Sequence, residues 1–177
     1  GLGELYPHGK DGRDLIARLR DEIRQRTDIT VFTSAEVTAK SGTFGNYRAV
    51  VKVPGGESIH LEVGQIVVAT GFDSYEPPAG EFAYGSDGVL TLPEFKRLID
   101  ESDGPLEYAG KPVRSVAYVY CVGSRNAEHS YCSRFCCSAP VHSSLLAAER
   151  GAGVRQYHLY RDLRTYGKNE LMLNESR

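Results

Sequence analysis

The sequence lacks features that mark several whole classes of protein. No apolar run approaches the ~20 residues that a membrane-spanning helix needs, and the best candidate is the short run 66–69. There is no excess of positive charge, since 21 Lys and Arg stand against 23 Asp and Glu, whereas nucleic-acid-binding domains are usually basic. No basic and then apolar segment opens the chain, so we expect no secretory leader. We therefore predict a cytoplasmic protein that neither spans a membrane nor binds nucleic acid.

Methionine is also scarce, because Met172 is the only one in 177 residues and the chain opens with Gly1. A translated protein begins with Met, so we expect the chain to be a piece of a longer protein. Hydrophobic residues make up 41% and charged residues 25% of the chain. This composition is typical of a globular protein and supplies enough apolar material for a core without disulfides.

The first part of the chain alternates between helical and strand-like patterns. Apolar residues at helical spacing predict an amphipathic helix over 13–26. Strand-like stretches follow at 29–33, 36–39, 47–53 and 58–63. The last two alternate apolar and polar residues around a Pro-Gly-Gly turn, which indicates a β-meander. Segment 65–71 is apolar without alternation, as in a strand that is covered on both faces within a parallel sheet.

The second part predicts another helix and then a βαβ unit. Thr91, with Pro93 and Glu94 behind it, has the pattern of a helix start with a capping box. Residues 102–112 are rich in Gly, Pro and acidic residues and are predicted to form a linker. A strand over 113–120, a helix over 131–150 that Pro140 must kink or split, and a strand over 154–160 complete the pattern.

All four cysteines fall within seventeen residues, and we call them the cysteine cluster: Cys121, Cys132, Cys136 and Cys137. They could be buried apolar residues or a disulfide pair. They could hold zinc, with His129 or His142 as a substitute ligand, although the spacing is not that of paired knuckles. They could hold a [4Fe–4S] cluster, whose larger size tolerates irregular spacing. The adjacent cysteines 136 and 137 could also act as a redox-active dithiol. On the helix predicted over 131–150, Cys132 and Cys136 would share one face.

The cysteine motif resembles that of a known protein family. Residues 121–126 read CVGSRN and residues 131–137 read YCSRFCC, which resembles the signature of the A subunit of heterodisulfide reductase and of the related flavoprotein subunit of quinone-interacting membrane-bound oxidoreductases. Segments 66–77 and 162–168 also agree with that family, and the resemblance covers about residues 29 to 170. Asn126 replaces the usual Asp, and Pro140 interrupts a smoother helical run.

The resemblance implies an α/β fold, part of a two-domain FAD/NAD(P)-binding, Rossmann-like flavoprotein with a β-meander. Residues 1–110 would be a partial FAD-binding domain, and residues 111–177 a partial Rossmann-like domain. The family assigns the four cysteines of the cluster as ligands of a [4Fe–4S] cluster. The turn 121–125 lacks two glycines of a dinucleotide-binding loop and supplies a thiolate, so we expect no NAD(P) there.

The resemblance also implies cofactor contacts and partners. FAD would be bound in the full-length protein, with contacts at Val37, Ala69, Thr70 and Gly71. The principal FAD fingerprint of the family is absent from the chain, so flavin affinity in isolation should be poor. The resemblance implies that the protein relays electrons between FAD and the other subunits of an electron-transfer complex. It is also compatible with a homodimer of this protein. The alternative is a zinc-stabilised α/β interaction module without redox activity. Arg125 and Arg134 flank the cysteines, and they either offset the negative charge of a thiolate-bound cluster and raise its potential or are solvated at the surface.

Overall fold

The computed structural model describes residues 4–5, 10–151 and 153–177. These residues form two compact units: one is Arg18–Asp73, and the other contains Ser74–Arg177 and the described residues before Arg18. The elements in chain order are β1 (Glu4–Leu5), β2 (Lys10–Asp11), α1 (Gly12–Gln25), β3 (Glu36–Thr43), β4 (Asn46–Lys52), β5 (Ser58–Val63), α2 (Leu92–Glu101), β6 (Glu107–Tyr108), β7 (Lys111–Pro112), β8 (Ser115–Val119), α3 (Ser138–Arg150), β9 (Arg155–Leu159) and α4 (Asn169–Glu175).

The elements form a mixed α/β structure with small sheets. Two-residue ribbons join β1 to β2 and β6 to β7 in antiparallel pairs. The larger sheets are the three-stranded β3–β4–β5 and the two-stranded β8–β9. None of the helices in the described ranges is both long and apolar enough to cross a membrane. The α/β class is thus confirmed, whereas the two-domain Rossmann-like arrangement stays a prediction.

The β-meander predicted from alternation is present in the unit Arg18–Asp73. Strands β3, β4 and β5 pair antiparallel in chain order, and Val51 of β4 lies opposite Val37 on one side and Ile59 on the other. The β3–β4 register shifts between Val37 and Ala39. Ala49 and Val51 are buried, so the inward face is the one that the alternating pattern indicated.

Helix α1 confirms the helix predicted over 13–26, and its start is capped by a side chain. The Asp11 carboxylate accepts a hydrogen bond from the backbone N–H of Arg13 at 2.8 Å and also pairs with the Arg13 guanidinium. These bonds hold the pKa of Asp11 below its ordinary range. An acidic group here satisfies an otherwise unpaired N–H and suits the positive end of the helix dipole.

The buried parallel strand predicted over 65–71 is wrong for this structure. The segment has no strand structure, and Val67 and Val68 are 84% and 79% exposed. A strand needs a hydrogen-bonding neighbour, and none of the described strands pairs with this segment. The short extended run predicted over 29–33 likewise forms no strand. The apolar pattern of residues 65–71 is typical of a segment that is buried on both faces. In this structure the described residues leave the segment exposed.

Two predictions in the second half have different outcomes. Helix α2 begins after Thr91, and the capping box with Glu94 is formed, which confirms that prediction. The expected linker over 102–112 is wrong as a free connection, because it contains the β6–β7 ribbon and Leu106, which is only 1% exposed. An apolar side chain that is buried to this degree anchors the segment to the core.

The βαβ unit is confirmed, and it positions the cysteines. Strands β8 and β9 are parallel, with Ser115 opposite Arg155 and Val119 opposite Leu159, and α3 connects them. The core joins this unit to α2 through these buried residues: Phe95, Ile99, Leu106, Tyr118, Tyr120, Cys137, Leu146 and Ala147. The connection from β8 to α3 therefore emerges at the carboxyl end of the parallel strands, the usual place for a site in such folds.

Candidate metal centre

The four cysteines lie on the connection between β8 and α3. Cys121 follows the strand by two residues, and Cys137 occupies the N-cap of α3. The helical start that was predicted to present Cys132 and Cys136 is wrong, because α3 begins at Ser138 and both residues lie in irregular structure. The reason is Pro140, which has no N–H and is tolerated in the first turn of a helix but not further inside it.

All four cysteines are free thiols, and they differ in burial. Cys137 is 3% exposed, whereas the other three are half-buried. Burial raises the pKa of the Cys137 thiol, a backbone hydrogen bond from Arg164 lowers it, and the thiols of the other three cysteines raise it further. A thiolate at Cys137 needs a nearby cation to offset these costs.

Backbone groups lie close to two of the four sulfur atoms. The Cys137 thiol lies 3.9 Å from the carbonyl oxygen of Asp162, in the segment that follows β9. The Sγ atom of Cys132 accepts a hydrogen bond from the backbone N–H of Arg134 at 3.4 Å. N–H groups directed at sulfur are favourable for thiolates and for metal-bound thiolates alike.

The connection has an unusual backbone. Cys121, Arg125 and Arg134 all have positive φ angles, of 61°, 56° and 62°. Residues with a side chain seldom adopt this left-handed region, and each such residue costs free energy. Backbone hydrogen bonds from Arg125 to Tyr131 and from Asn126 to His129, both 3.1 Å, close the loop and compensate for part of the cost. Strain that tertiary contacts maintain is typical of a functional site.

A network of charged groups lies next to the cysteines. Asp162 forms ion pairs with Arg125 and with Arg164, the latter at 3.1 Å. These two arginines lower the pKa of the Asp162 carboxyl. Arg125 also directs Nη1 at the Sγ atom of Cys121, at 3.9 Å. The sequence indicated Arg125 as a residue near the cysteines, but it gave no role to Asp162 or Arg164. Both residues follow β9, which is parallel to β8, so their place in the predicted βαβ unit could have indicated that they lie near Cys121.

The residues fit some metal groups better than others. Over the described ranges, no three His, Cys, Asp or Glu side chains stand close enough together to hold one metal ion. His129, a substitute ligand in the zinc hypothesis, packs against the ring of Tyr131 with 5.6 Å between centroids. Four reduced thiols beside two guanidinium groups suit a larger, anionic, thiolate-bound cluster. By donor chemistry the site therefore fits an iron–sulfur cluster.

The residues expected to contact FAD lie in the other unit. Val37 is 59% exposed on β3, and Ala69, Thr70 and Gly71 are consecutive exposed residues after β5. Gly71 has a φ of +71°, with nothing within 4 Å of the position that a Cβ atom would occupy. No hydrogen bond between described residues joins Val37 to these three. Their role in binding FAD stays a prediction.

Comparison with known proteins identifies relatives of this chain. No family model matches it. It is 36% identical over 122 residues to the A subunit of the H2:CoB–CoM heterodisulfide,ferredoxin reductase of Methanothermobacter thermautotrophicus, a match that covers 63% of this chain and 18% of the relative. It is 34% identical over 125 residues to an iron-sulfur A subunit of the CoB–CoM heterodisulfide reductase of Methanopyrus kandleri, with the same coverage.

A third relative gives a slightly longer match. This protein, from Archaeoglobus profundus, is named as similar to the A subunit of heterodisulfide reductase, and it is 34% identical over 145 residues that cover 66% of this chain and 20% of the relative. The matches thus span about a fifth of the length of these curated relatives. They confirm the resemblance that the cysteine motif indicated.

Proposed function

Because the matched part of this chain belongs to the family of heterodisulfide reductase A subunits, we propose that the chain is part of an electron-transfer oxidoreductase. Its cysteine cluster would hold a [4Fe–4S] cluster and connect FAD to partner subunits. The observation that carries the proposal is the position of Cys137, buried at the start of α3 on the same connection that carries the other three free thiols. Three relatives of the same family are named as iron-sulfur subunits.

The chain supplies what a thiolate-bound cluster requires. Such a cluster transfers single electrons when it is bound, and its ligands are deprotonated cysteines. Burial opposes a negative charge at Cys137, so a bound cation is needed to stabilise the thiolate form. Arg125 and Arg164 place two further positive charges beside the cysteines, with Asp162 between them. These groups would favour the deprotonated ligand set over four separate thiols.

The flavin and the partners belong to the longer protein. Val37, Ala69, Thr70 and Gly71 would contact FAD, and Gly71 leaves room for a close approach to the backbone. Residues 1–110 would then be part of an FAD-binding domain, and residues 111–177 part of a Rossmann-like domain. The partners would be other subunits of an electron-transfer complex, with a homodimer as a further possibility, and the complex would be cytoplasmic.

Anaerobic reconstitution with iron and sulfide tests the proposal. We expect a brown protein with about four iron and about four sulfide per chain, and bleaching by a strong reductant. Replacing Cys137 by Ser should abolish cluster binding, because this residue is the buried ligand. Ser130→Ala is the matched control, since Ser130 is exposed on the same connection and should leave the iron content unchanged.

Two other results would contradict the cluster. Colourless protein with one stoichiometric zinc and no sulfide would indicate a zinc-stabilised interaction module instead. Metal-free protein with a titratable dithiol, lost in Cys136→Ser, would indicate thiol redox chemistry at the adjacent pair Cys136 and Cys137. The samples must be kept from oxygen throughout, because oxygen destroys exposed clusters and an aerobic preparation would not separate these outcomes.

A further inference from the structure

Two arginines flank the cysteines in the sequence, but only one of them faces a sulfur atom. The guanidinium of Arg125 lies 3.9 Å from the Sγ atom of Cys121 and is paired with the Asp162 carboxylate. Arg134 is exposed, and among the described residues its side chain forms no hydrogen bond or ion pair; only its backbone N–H contacts a cysteine. The two positions are therefore equivalent in the sequence and different in the fold.

Arg125 is held in place from three directions. Its backbone N–H donates to the carbonyl oxygen of Tyr131 at 3.1 Å, and its own carbonyl oxygen accepts a hydrogen bond from Nη1 of Arg161 at 2.7 Å. Asp162 accepts from its guanidinium. The side chain is only 23% exposed, so solvent screens its charge less than at the surface. A long cationic side chain held in this way keeps its charge at a defined distance from Cys121.

Asp162 connects this arginine to the other end of the cysteine connection. Its carboxylate also pairs with Arg164, and its carbonyl oxygen lies 3.9 Å from the thiol of Cys137. Two guanidinium groups and one carboxylate leave a net positive charge between the first and the last cysteine of the cluster. Because Asp162 is shared between both arginines, it neutralises neither of them completely.

We propose that Arg125 is a positioning residue that raises the reduction potential of the redox centre held by the cysteine cluster. The inference rests on the proposed function. Reduction adds a negative charge to such a centre, and a fixed guanidinium nearby stabilises the reduced state more than the oxidised state. Hydrogen bonds to cluster sulfur atoms have the same effect. The side chain of Arg134 forms neither interaction and has no such role, and its backbone N–H, which donates to Cys132, is unchanged by a substitution of that side chain.

The midpoint potential of the reconstituted chain tests this inference. We expect Arg125→Gln to disfavour the reduced state by about tenfold in the one-electron equilibrium constant, which corresponds to a potential lower by about 59 mV. Arg125→Lys keeps the charge without the planar guanidinium, so it should recover at least half of that shift. Arg134→Gln is the matched control and should leave the potential unchanged. A redox titration followed by electron paramagnetic resonance measures the potential without reference to activity.

The possible outcomes separate the inference from the function on which it rests. If the cluster loads in every variant and Arg125→Gln and Arg134→Gln have equal midpoint potentials, the role of Arg125 is contradicted. The proposed electron-transfer function is unaffected by that result. An unmodified chain that loads no iron and sulfide would overturn both. If Arg125→Gln fails to load, Arg125→Asn is a second neutral variant, because Asn tolerates the positive φ of 56° at this position. It should give the same lowered potential, and an unchanged potential would contradict the inference.

Discussion

The ring of Tyr75 lies directly against Gly123, at the point where the chain turns after Cys121. A Cβ atom at Gly123 would lie 2.3 Å from Cγ of Tyr75, far inside the contact distance of real side chains. The Tyr75 hydroxyl donates to Glu81 at 2.9 Å, which holds the ring over the turn. Gly123 also has a φ of +73°. Both the backbone angle and the neighbouring ring therefore require glycine at this position.

Gly123→Ala should destabilise the protein more than an alanine at another left-handed glycine. For an alanine, the left-handed backbone angle alone lowers the free energy of unfolding by about 1–2 kcal/mol. At position 123 the steric overlap with Tyr75 lowers it further. Gly110→Ala is the matched control, because Gly110 has a φ of +72° and open space around its Cβ position. Denaturant unfolding measures both. Adding Tyr75→Ala to Gly123→Ala should remove the excess cost, and equal costs for the two single variants would contradict the steric account.

Ile99 connects helix α2 to the core that contains Cys137. It is 1% exposed and belongs to the same buried cluster as Cys137 and Tyr118. Ile99→Ala should therefore lower the free energy of unfolding by about 2–5 kcal/mol and speed the reaction of Cys137 with a thiol reagent. The control Leu171→Ala, at a side chain 66% exposed, should change stability by less than about 0.5 kcal/mol. A loss of similar size in both variants would show that Ile99 is not a core residue.

The capping box of α2 makes a small contribution to stability that depends on pH. The Glu94 carboxylate accepts hydrogen bonds from the backbone N–H and the hydroxyl of Thr91, both at 2.7 Å, and these bonds lower its pKa. A lowered folded pKa gives stability that is present above the unfolded value of about 4.3 and is lost as pH falls through the folded value.

Glu94→Gln should therefore reduce stability at pH 7 by about 0.3–1 kcal/mol and by less at low pH. Glu94 is exposed, which keeps the expected effect at the lower end of that range. Glu101→Gln, at the other end of the same helix, is the control and should be neutral or slightly stabilising because of the helix dipole. Thermal unfolding between pH 3 and pH 7, measured for both variants, gives the comparison; a difference that stays constant with pH would contradict the role of the carboxylate.

The exposed apolar segment 65–71 leads to a test of a different kind. Val67 and Val68 are exposed to 84% and 79%, so alanine at either position should change the unfolding free energy of this chain by less than about 0.5 kcal/mol. The control is Val141→Ala, because Val141 is fully buried in α3. This substitution should lower the free energy of unfolding by about 1.5 kcal/mol or more. A comparable loss at Val67 in denaturant unfolding would mean that the segment is covered in solution.

Local patterns predicted the local elements well. The amphipathic spacing over 13–26, the alternation in 47–53 and 58–63 and the capping residues at Thr91 all correspond to elements of the structure. These signals depend on residues close in sequence, so they do not require knowledge of the remaining fold. The segment 65–71 failed because a strand exists only with a hydrogen-bonding neighbour, which periodicity does not report.

The amino-acid sequence by itself determined which groups are available: four thiols at a defined spacing, a strand before them and a helix after them. Only the tertiary structure decided which of these groups meet. Arg125 pairs with Asp162, 37 positions further along the chain, while Arg134 does not, and Cys137 alone of the four thiols is buried. The physical reason is that burial and ion pairing depend on the packing of β9 beside β8 and of α3 against the core. Such contacts join residues that no local pattern connects.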